Sequence, residues 1–94
     1  MQDFILLLQQ LEQKQNRRIA NKAVKVLAQK AEHFWDQICV QAQSHPDPKI
    51  RKRLIFIIAT ARVPTDRKKQ ALRELLEKDA ENSENIRLIL QYWF

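Results

Sequence analysis

The sequence predicts an all-α protein folded as a compact up-and-down bundle of about five helices. Apolar residues recur at spacings of three and four along most of the chain, and no stretch alternates apolar and polar residues as strands do. The 94 residues are 45% hydrophobic and 30% charged, which suits one folded domain spanning residues 1–94. Glycine is absent, so glycine-based hairpins and glycine-rich phosphate loops are excluded.

Two helices are predicted in the first half of the chain. Residues 2–13 form the first, because Phe4, Leu7, Leu8 and Leu11 share one face. Residues 16–44 contain no glycine or proline, and one apolar stripe runs through Ala20, Val24, Leu27, Ala31, Phe34, Trp35 and Ile38. The pattern favours one long helix over 16–44; a break near Lys30, giving two shorter helices, is the alternative.

The segment Ser44-His45-Pro46-Asp47-Pro48 predicts a stop followed by a new helix over 48–62. Asp47 is placed to cap the new helix, and Pro48 to be its first residue. The apolar stripe of this helix extends almost all round, as in a helix at the centre of a bundle. Proline at position 64 ends it.

Two further helices are predicted over 66–79 and 84–94. Thr65 is the expected N-cap of the first, and inward-facing leucines follow it. A polar turn separates it from the last helix, in which Ile86, Ile89 and Trp93 share a face.

A short internal similarity suggests an alternative fold. The opening Asp47-Pro48-Lys49-Ile50-Arg51, echoed by Asn85-Ile86-Arg87, resembles the Asp-x-x-x-Arg opening of HEAT-like helical hairpins over roughly residues 44–94. That resemblance implies stacked hairpins in place of an up-and-down bundle.

The sequence predicts no catalytic residue, no cofactor, no metal site and no small-molecule substrate. His33 and Cys39 lie six residues apart on one helix, so their side chains diverge and cannot form a catalytic dyad. No apolar stretch approaches the roughly 20 residues of a membrane span. A single cysteine and no recognisable secretory signal predict a cytoplasmic protein. The lack of a catalytic constellation predicts that it is not an enzyme.

The net charge of +6 is concentrated in two segments. Residues 14–30 hold six basic groups and no acid, and residues 49–73 hold nine basic groups with Asp66 the one acid. An antiparallel pairing of helices 48–62 and 66–79 would neutralise part of the second segment. It would bring Lys49, Arg51, Lys52 and Arg53 against Glu77, Asp79, Glu81 and Glu84.

Up-down-up connectivity predicts a basic pole, where the start of helix 16–44 meets the end of helix 48–62 and the start of helix 66–79. The residues predicted there to bind nucleic acid or another anion are Arg17, Arg18, Lys22, Arg62, Arg67, Lys68 and Lys69. A solvated face that only keeps the protein in solution is the alternative.

The aromatic residues are assigned mainly to the core. Phe34, Trp35, Phe56 and Trp93 lie on apolar stripes. Tyr92-Trp93-Phe94 is the exception, predicted either to fold onto the bundle or to contact another protein. Together with Val40, outside the main stripe, this segment is a candidate homo-oligomer contact.

Three functions remain open at this level. The first is a small basic helical adaptor that contacts nucleic acid within a larger complex, in general character similar to the small helical subunits of CRISPR effector complexes. The second is a protein-only regulator, because size, charge and helical layout resemble the immunity proteins of class II bacteriocins. The third is a homo-oligomeric scaffold.

Overall fold

Six α-helices follow one another in residues 4–94, the part of the chain that the computed structural model describes. They are α1 (Phe4–Leu11), α2 (Arg17–Gln29), α3 (Ala31–Ser44), α4 (Pro48–Thr60), α5 (Thr65–Lys78) and α6 (Ser83–Tyr92). The predicted all-α bundle is confirmed. The predicted start of the first helix at residue 2 lies outside the described residues.

The chain bends at Lys30, so the favoured prediction of one helix over 16–44 is wrong and its alternative, two shorter helices with a break near Lys30, is confirmed. The backbone of Lys30 leaves helical geometry at φ −103° and ψ 19°. The carbonyl of Ala28, which a continuous helix would bond to the amide of residue 32, instead accepts the Arg62 amide at 3.2 Å. A tertiary hydrogen bond therefore lies at the break. The break divides the predicted long helix in two, so residues 4–94 form six helices where about five were predicted.

Consecutive helices pair into hairpins. The most extensive packing joins α1 with α2, α3 with α4, and α5 with α6. The hairpins then pack side by side, with α4 in the middle against α2, α3 and α5. Pairing of consecutive helices is the arrangement that the HEAT-like interpretation anticipated for the second half of the chain.

Contacts along the helices fix their relative directions. The start of α5 meets the start of α3, where Arg67 lies over Trp35, and their ends meet where Lys78 donates to Gln43. These two helices therefore run the same way. The second helices of the hairpins, α2, α4 and α6, run in the opposite direction: Ala28 meets the end of α4, and Asn82 donates to the Pro48 carbonyl at its start.

One hydrophobic core connects all six helices. The fully buried side chains include Leu7, Leu11, Leu27, Ile38, Leu54, Ile55, Ile57, Ile58, Leu72, Leu75 and Ile86. Four of them belong to α4, in agreement with the nearly all-round apolar stripe that predicted its central position. Each such side chain contributes about 1.5–3 kcal/mol by its removal from water.

The helix starts show which capping predictions hold. Asp47 accepts a hydrogen bond from the Lys49 amide at 2.9 Å, and Pro48 opens α4, so both predictions there are confirmed. The predicted cap by Thr65 is wrong: Thr65 is the first residue of α5, and Pro64 precedes it without a capping side chain. Asn16 caps α2 by accepting from the Ile19 amide.

Candidate functional site

The basic pole predicted from the sequence does not form. Arg62 lies beside Ala28, at the end of α2, whereas Arg18 is ten residues earlier, about 15 Å away along the helix axis. The start of α2 lies instead near the start of α4, where Lys14 pairs with Asp47 at 3.3 Å. The change of direction between α2 and α3 is the reason, because it makes α2 run parallel to α4; the backbone leaves helical geometry at Lys30 and again at Phe34, inside α3.

The residues predicted for the pole fall into two groups. Arg17, Arg18 and Lys22 stay together on the exposed side of α2. Arg62, Arg67, Lys68 and Lys69 lie around the start of α5. The second group is not purely basic, because acidic and aromatic side chains lie among its cations. The guanidinium of Arg67 stacks 5.3 Å from the centre of the Trp35 ring, and Lys69 shares a shallow depression with Asp66 and Glu74.

The first turns of α4 contain a buried charge network centred on Arg51. Its guanidinium donates to Asp79 at 3.0 Å, to Glu81 at 2.9 Å and to the His45 carbonyl at 2.7 Å. The side chains of Arg51 and Asp79 are only 12% and 4% exposed. Burial alone would raise the pKa of Asp79, but hydrogen bonds from Arg51 and Asn82 outweigh it and lower that pKa.

The expected neutralisation of the α4 start is confirmed for Arg51 and wrong for its neighbours. Arg53 points the other way and donates to the Leu11 carbonyl at the end of α1. Lys49 and Lys52 are exposed, and within residues 4–94 neither has a carboxylate oxygen within 4 Å. Helix geometry explains the split, because adjacent residues point about 100° apart.

A continuous positively charged surface therefore lies on α2 and the first half of α4. The two helices together carry eight basic side chains and no acid. We call the exposed, unpaired set the basic face; it comprises Arg17, Arg18, Lys22, Lys25, Lys49 and Lys52. Two shallow grooves, of about 480 and 410 Å³, run along it and meet at Asn21.

An exposed aromatic groove adjoins the basic face. It lies between α4 and α6 and has a volume of about 340 Å³; Phe56, Leu88, Tyr92 and Trp93 form its apolar lining. The core assignment of Phe56 and Trp93 is wrong, because they remain 45% and 49% exposed. Their rings pack edge to face, with their centres 5.8 Å apart. Phe34 and Trp35 are buried, as the sequence predicted.

The groove between α2 and α4 and the aromatic groove share two residues. Lys52 and Phe56 line both the groove between α2 and α4 and the groove between α4 and α6. Among the described residues, 4–94, no carboxylate lines either groove. A single ligand could therefore contact positive charge and exposed rings without crossing a negative residue.

The groups tested for catalytic chemistry lie elsewhere. Burial, together with the nearby Asp36 and Glu74 carboxylates, raises the pKa of the Cys39 thiol to about 11, so the thiol is protonated at neutral pH. His33 is exposed and contacts the Phe34 ring edge-on. Within residues 4–94, no three His, Cys, Asp or Glu side chains are grouped closely enough to hold a metal ion.

Sequence reasoning missed part of this surface although a signal was present. Lys49, Lys52 and Phe56 are spaced by three and four residues, which places them on one side of α4. Phe56 was assigned to the core on hydrophobicity alone, and the two lysines were expected to meet carboxylates.

Comparison with protein-family models, with curated proteins and with solved structures finds no match for this chain. Among the helices of residues 4–94, none combines the length and the apolar character that crossing a membrane requires.

Proposed function

We propose that the protein is a non-enzymatic binding subunit that contacts nucleic acid through the basic face. The observation that carries this proposal is the content of α2 and α4, which bring eight basic side chains and no acid to adjacent helices. Arg51 and Arg53 have protein partners, so six positive charges remain for a ligand.

The unpaired state of these side chains supports a polyanionic ligand. Within residues 4–94, no salt bridge involves Arg17, Arg18, Lys22, Lys25, Lys49 or Lys52. Like charges gathered on one surface repel one another and destabilise the fold. A row of phosphates would remove that repulsion and release its own condensed counterions, which is the main source of sequence-independent affinity for nucleic acid.

Two variants with equal net charge test whether this surface or the total charge attracts nucleic acid. The face variant combines Arg17→Gln, Arg18→Gln, Lys22→Gln and Lys52→Gln. The matched control combines Arg62→Gln, Lys68→Gln, Lys69→Gln and Arg73→Gln. Each removes four positive charges from the formal +6 of the chain, leaving +2.

We expect the face variant to bind mixed-sequence DNA or RNA at least about tenfold more weakly, with the control near wild type. Filter binding between about 50 and 200 mM salt gives the number of phosphates contacted from the slope of log K against log salt. The slope should fall by about 3 for the face variant. Equal losses in both variants would show attraction to net charge alone, and no binding by the wild type would refute the proposal.

Self-association is a second candidate function, favoured by exposed apolar residues away from the basic face. Val40 and Ile5 are 59% and 65% exposed and line a groove between α1 and α3. Tyr92 lies in the groove between α4 and α6, so the predicted oligomer contact of Val40 with the Tyr92–Phe94 segment uses two separate grooves. Sedimentation equilibrium tests it: a strict monomer at high concentration rejects this function.

A further inference from the structure

We infer that the nucleic acid taken by the basic face is single-stranded, with unpaired bases stacked on Phe56 and Trp93. The inference rests on the proposed function and specifies its substrate. It extends the binding surface beyond the six basic residues, into the aromatic groove between α4 and α6.

The first support is the order of side chains along α4. Lys49, Lys52 and Phe56 follow one another on one side of the helix, over about 10 Å of its length. Lys52 lines the aromatic groove together with Phe56 and Trp93. A strand whose phosphates lie on the lysines therefore has its next bases beside the rings.

The second support is the exposure of the rings themselves. Phe56 and Trp93 meet edge to face, with an interplanar angle of 84°, and each keeps almost half of its surface open to solvent. Tyr92, in the same groove, is 73% exposed. A base offers an aromatic ring a π-face without regard to sequence, and such stacking is the usual means by which proteins hold single strands. Bases in a duplex are already stacked on each other, so a duplex cannot use this groove.

The composition of the two grooves favours a strand over an apolar peptide. Positive side chains and exposed rings lie next to each other on one connected surface, and no carboxylate of residues 4–94 interrupts it. Adjacent positive charge and stacking platforms suit the phosphates and bases of a nucleotide chain. A partner helix needs a continuous apolar seam, whereas Lys49, Lys52 and Arg53 line the groove between α2 and α4 together with its apolar residues.

Tryptophan fluorescence gives a direct readout of stacking. The chain has two tryptophans, of which Trp35 is buried and Trp93 is exposed. In a Trp35→Phe variant, therefore, Trp93 is the sole tryptophan, and excitation at a wavelength that tyrosine does not absorb reports on it alone. We would titrate this variant with an oligothymidine, with an abasic deoxyribose-phosphate strand of equal length and with a duplex of equal length.

We expect the oligothymidine to quench Trp93 and to bind at least about fivefold more tightly than the abasic strand. In the wild-type background, which avoids any effect of changing the buried Trp35, Phe56→Leu should lower oligothymidine affinity by a similar factor. It should leave the affinity for the abasic strand unchanged. The matched control Leu88→Ala, in the same groove but not aromatic, should change either affinity less than about twofold.

The other outcomes separate this inference from the proposed function. Equal affinity for oligothymidine and abasic strand, or tighter binding of the duplex, overturns base stacking but leaves phosphate binding by the basic face intact. Equal effects of Phe56→Leu and Leu88→Ala overturn it also, because they indicate a merely apolar contact. A concentration-dependent shift of Trp93 emission without any oligonucleotide identifies the groove as a protein contact and overturns the inference. No binding of any strand refutes both proposals.

Discussion

Arg51 and Lys52 are neighbours in the sequence, yet one belongs to a region where cations are paired with carboxylates and the other to a region where cations are exposed and unpaired within residues 4–94. Arg51 is enclosed by Asp79, Glu81 and the His45 carbonyl at the junction of the second and third hairpins. Lys52 projects from the same helix turn into solvent, between the two grooves. The difference teaches that the role of each cation depends on its position around the helix: the rotation of about 100° per residue decides which cation pairs within the fold and which stays exposed.

The strongest way to test this contrast is to remove each cation in turn. Arg51→Met should lower the free energy of unfolding by about 3–5 kcal/mol, because it leaves the buried Asp79 carboxylate without its oppositely charged partner, with hydrogen bonds from Asn82 alone. Lys52→Met should change it by less than about 0.5 kcal/mol, since its exposed ammonium group has no ion pair. Urea denaturation followed by circular dichroism measures both. Similar midpoints for the two variants would contradict the division.

The acid dependence of stability tests the same network from its carboxylate side. The pKa of Asp79 is lower in the folded protein than its usual value of about 3.9. The pairing therefore stabilises the fold fully above about pH 4, and that stabilisation is lost as the pH falls through the lower folded-state pKa. Asp79→Asn should cost about 1–3 kcal/mol at pH 7 and flatten the loss of stability below about pH 4.

A double-mutant cycle is the control for this prediction. Once Arg51→Met has removed the partner, adding Asp79→Asn should cost much less than it does alone, because the orphaned charge is then gone. Urea midpoints measured at several pH values provide all the terms. Additive losses would show that the two side chains do not act as one unit.

The smallest expected effect belongs to the basic face and has the opposite sign. Arg17 and Arg18 occupy the first turn of α2, where the helix dipole disfavours positive charge and where no acid is present. Arg17→Gln with Arg18→Gln should therefore raise stability by about 0.3–1 kcal/mol per residue at low salt. Thermal unfolding measures the gain, which should shrink as salt is added. A loss of stability would show that these residues support the fold and are not reserved for a ligand.

Helix positions were predictable from local pattern, but the bend at Lys30 was predictable only as an alternative to one long helix. Asp47 and Pro48 identify the start of α4 because capping and a fixed proline φ act within a few residues. Nothing local marks the break between α2 and α3, where the stripe of apolar residues continues without glycine or proline. The amide of Arg62, just after the end of α4, donates to the Ala28 carbonyl at that point. A contact between residues so far apart in the sequence cannot be predicted from the periodicity of apolar residues.

The candidate site was half predictable for the same reason. The cations of α2 were recognised from their number and the absence of acids, both of which are properties of the chain itself. Their neighbours depended on the direction of α2 relative to α4, which the bend reverses. Phe56 illustrates the remaining gap: an apolar residue on an apolar helix is expected inside, but the tertiary packing leaves it 45% exposed.

The alternating direction of the six helices has a consequence for how a charged ligand would approach. With α1, α3 and α5 running one way and α2, α4 and α6 the other, the peptide dipoles of the two sets point against each other. Their long-range fields largely offset, and ionised side chains supply most of the directional pull felt at a distance. The positions of the lysine and arginine side chains would therefore decide how a charged ligand is oriented as it approaches. Substitutions can move these charges from one helix to another while the backbone stays the same.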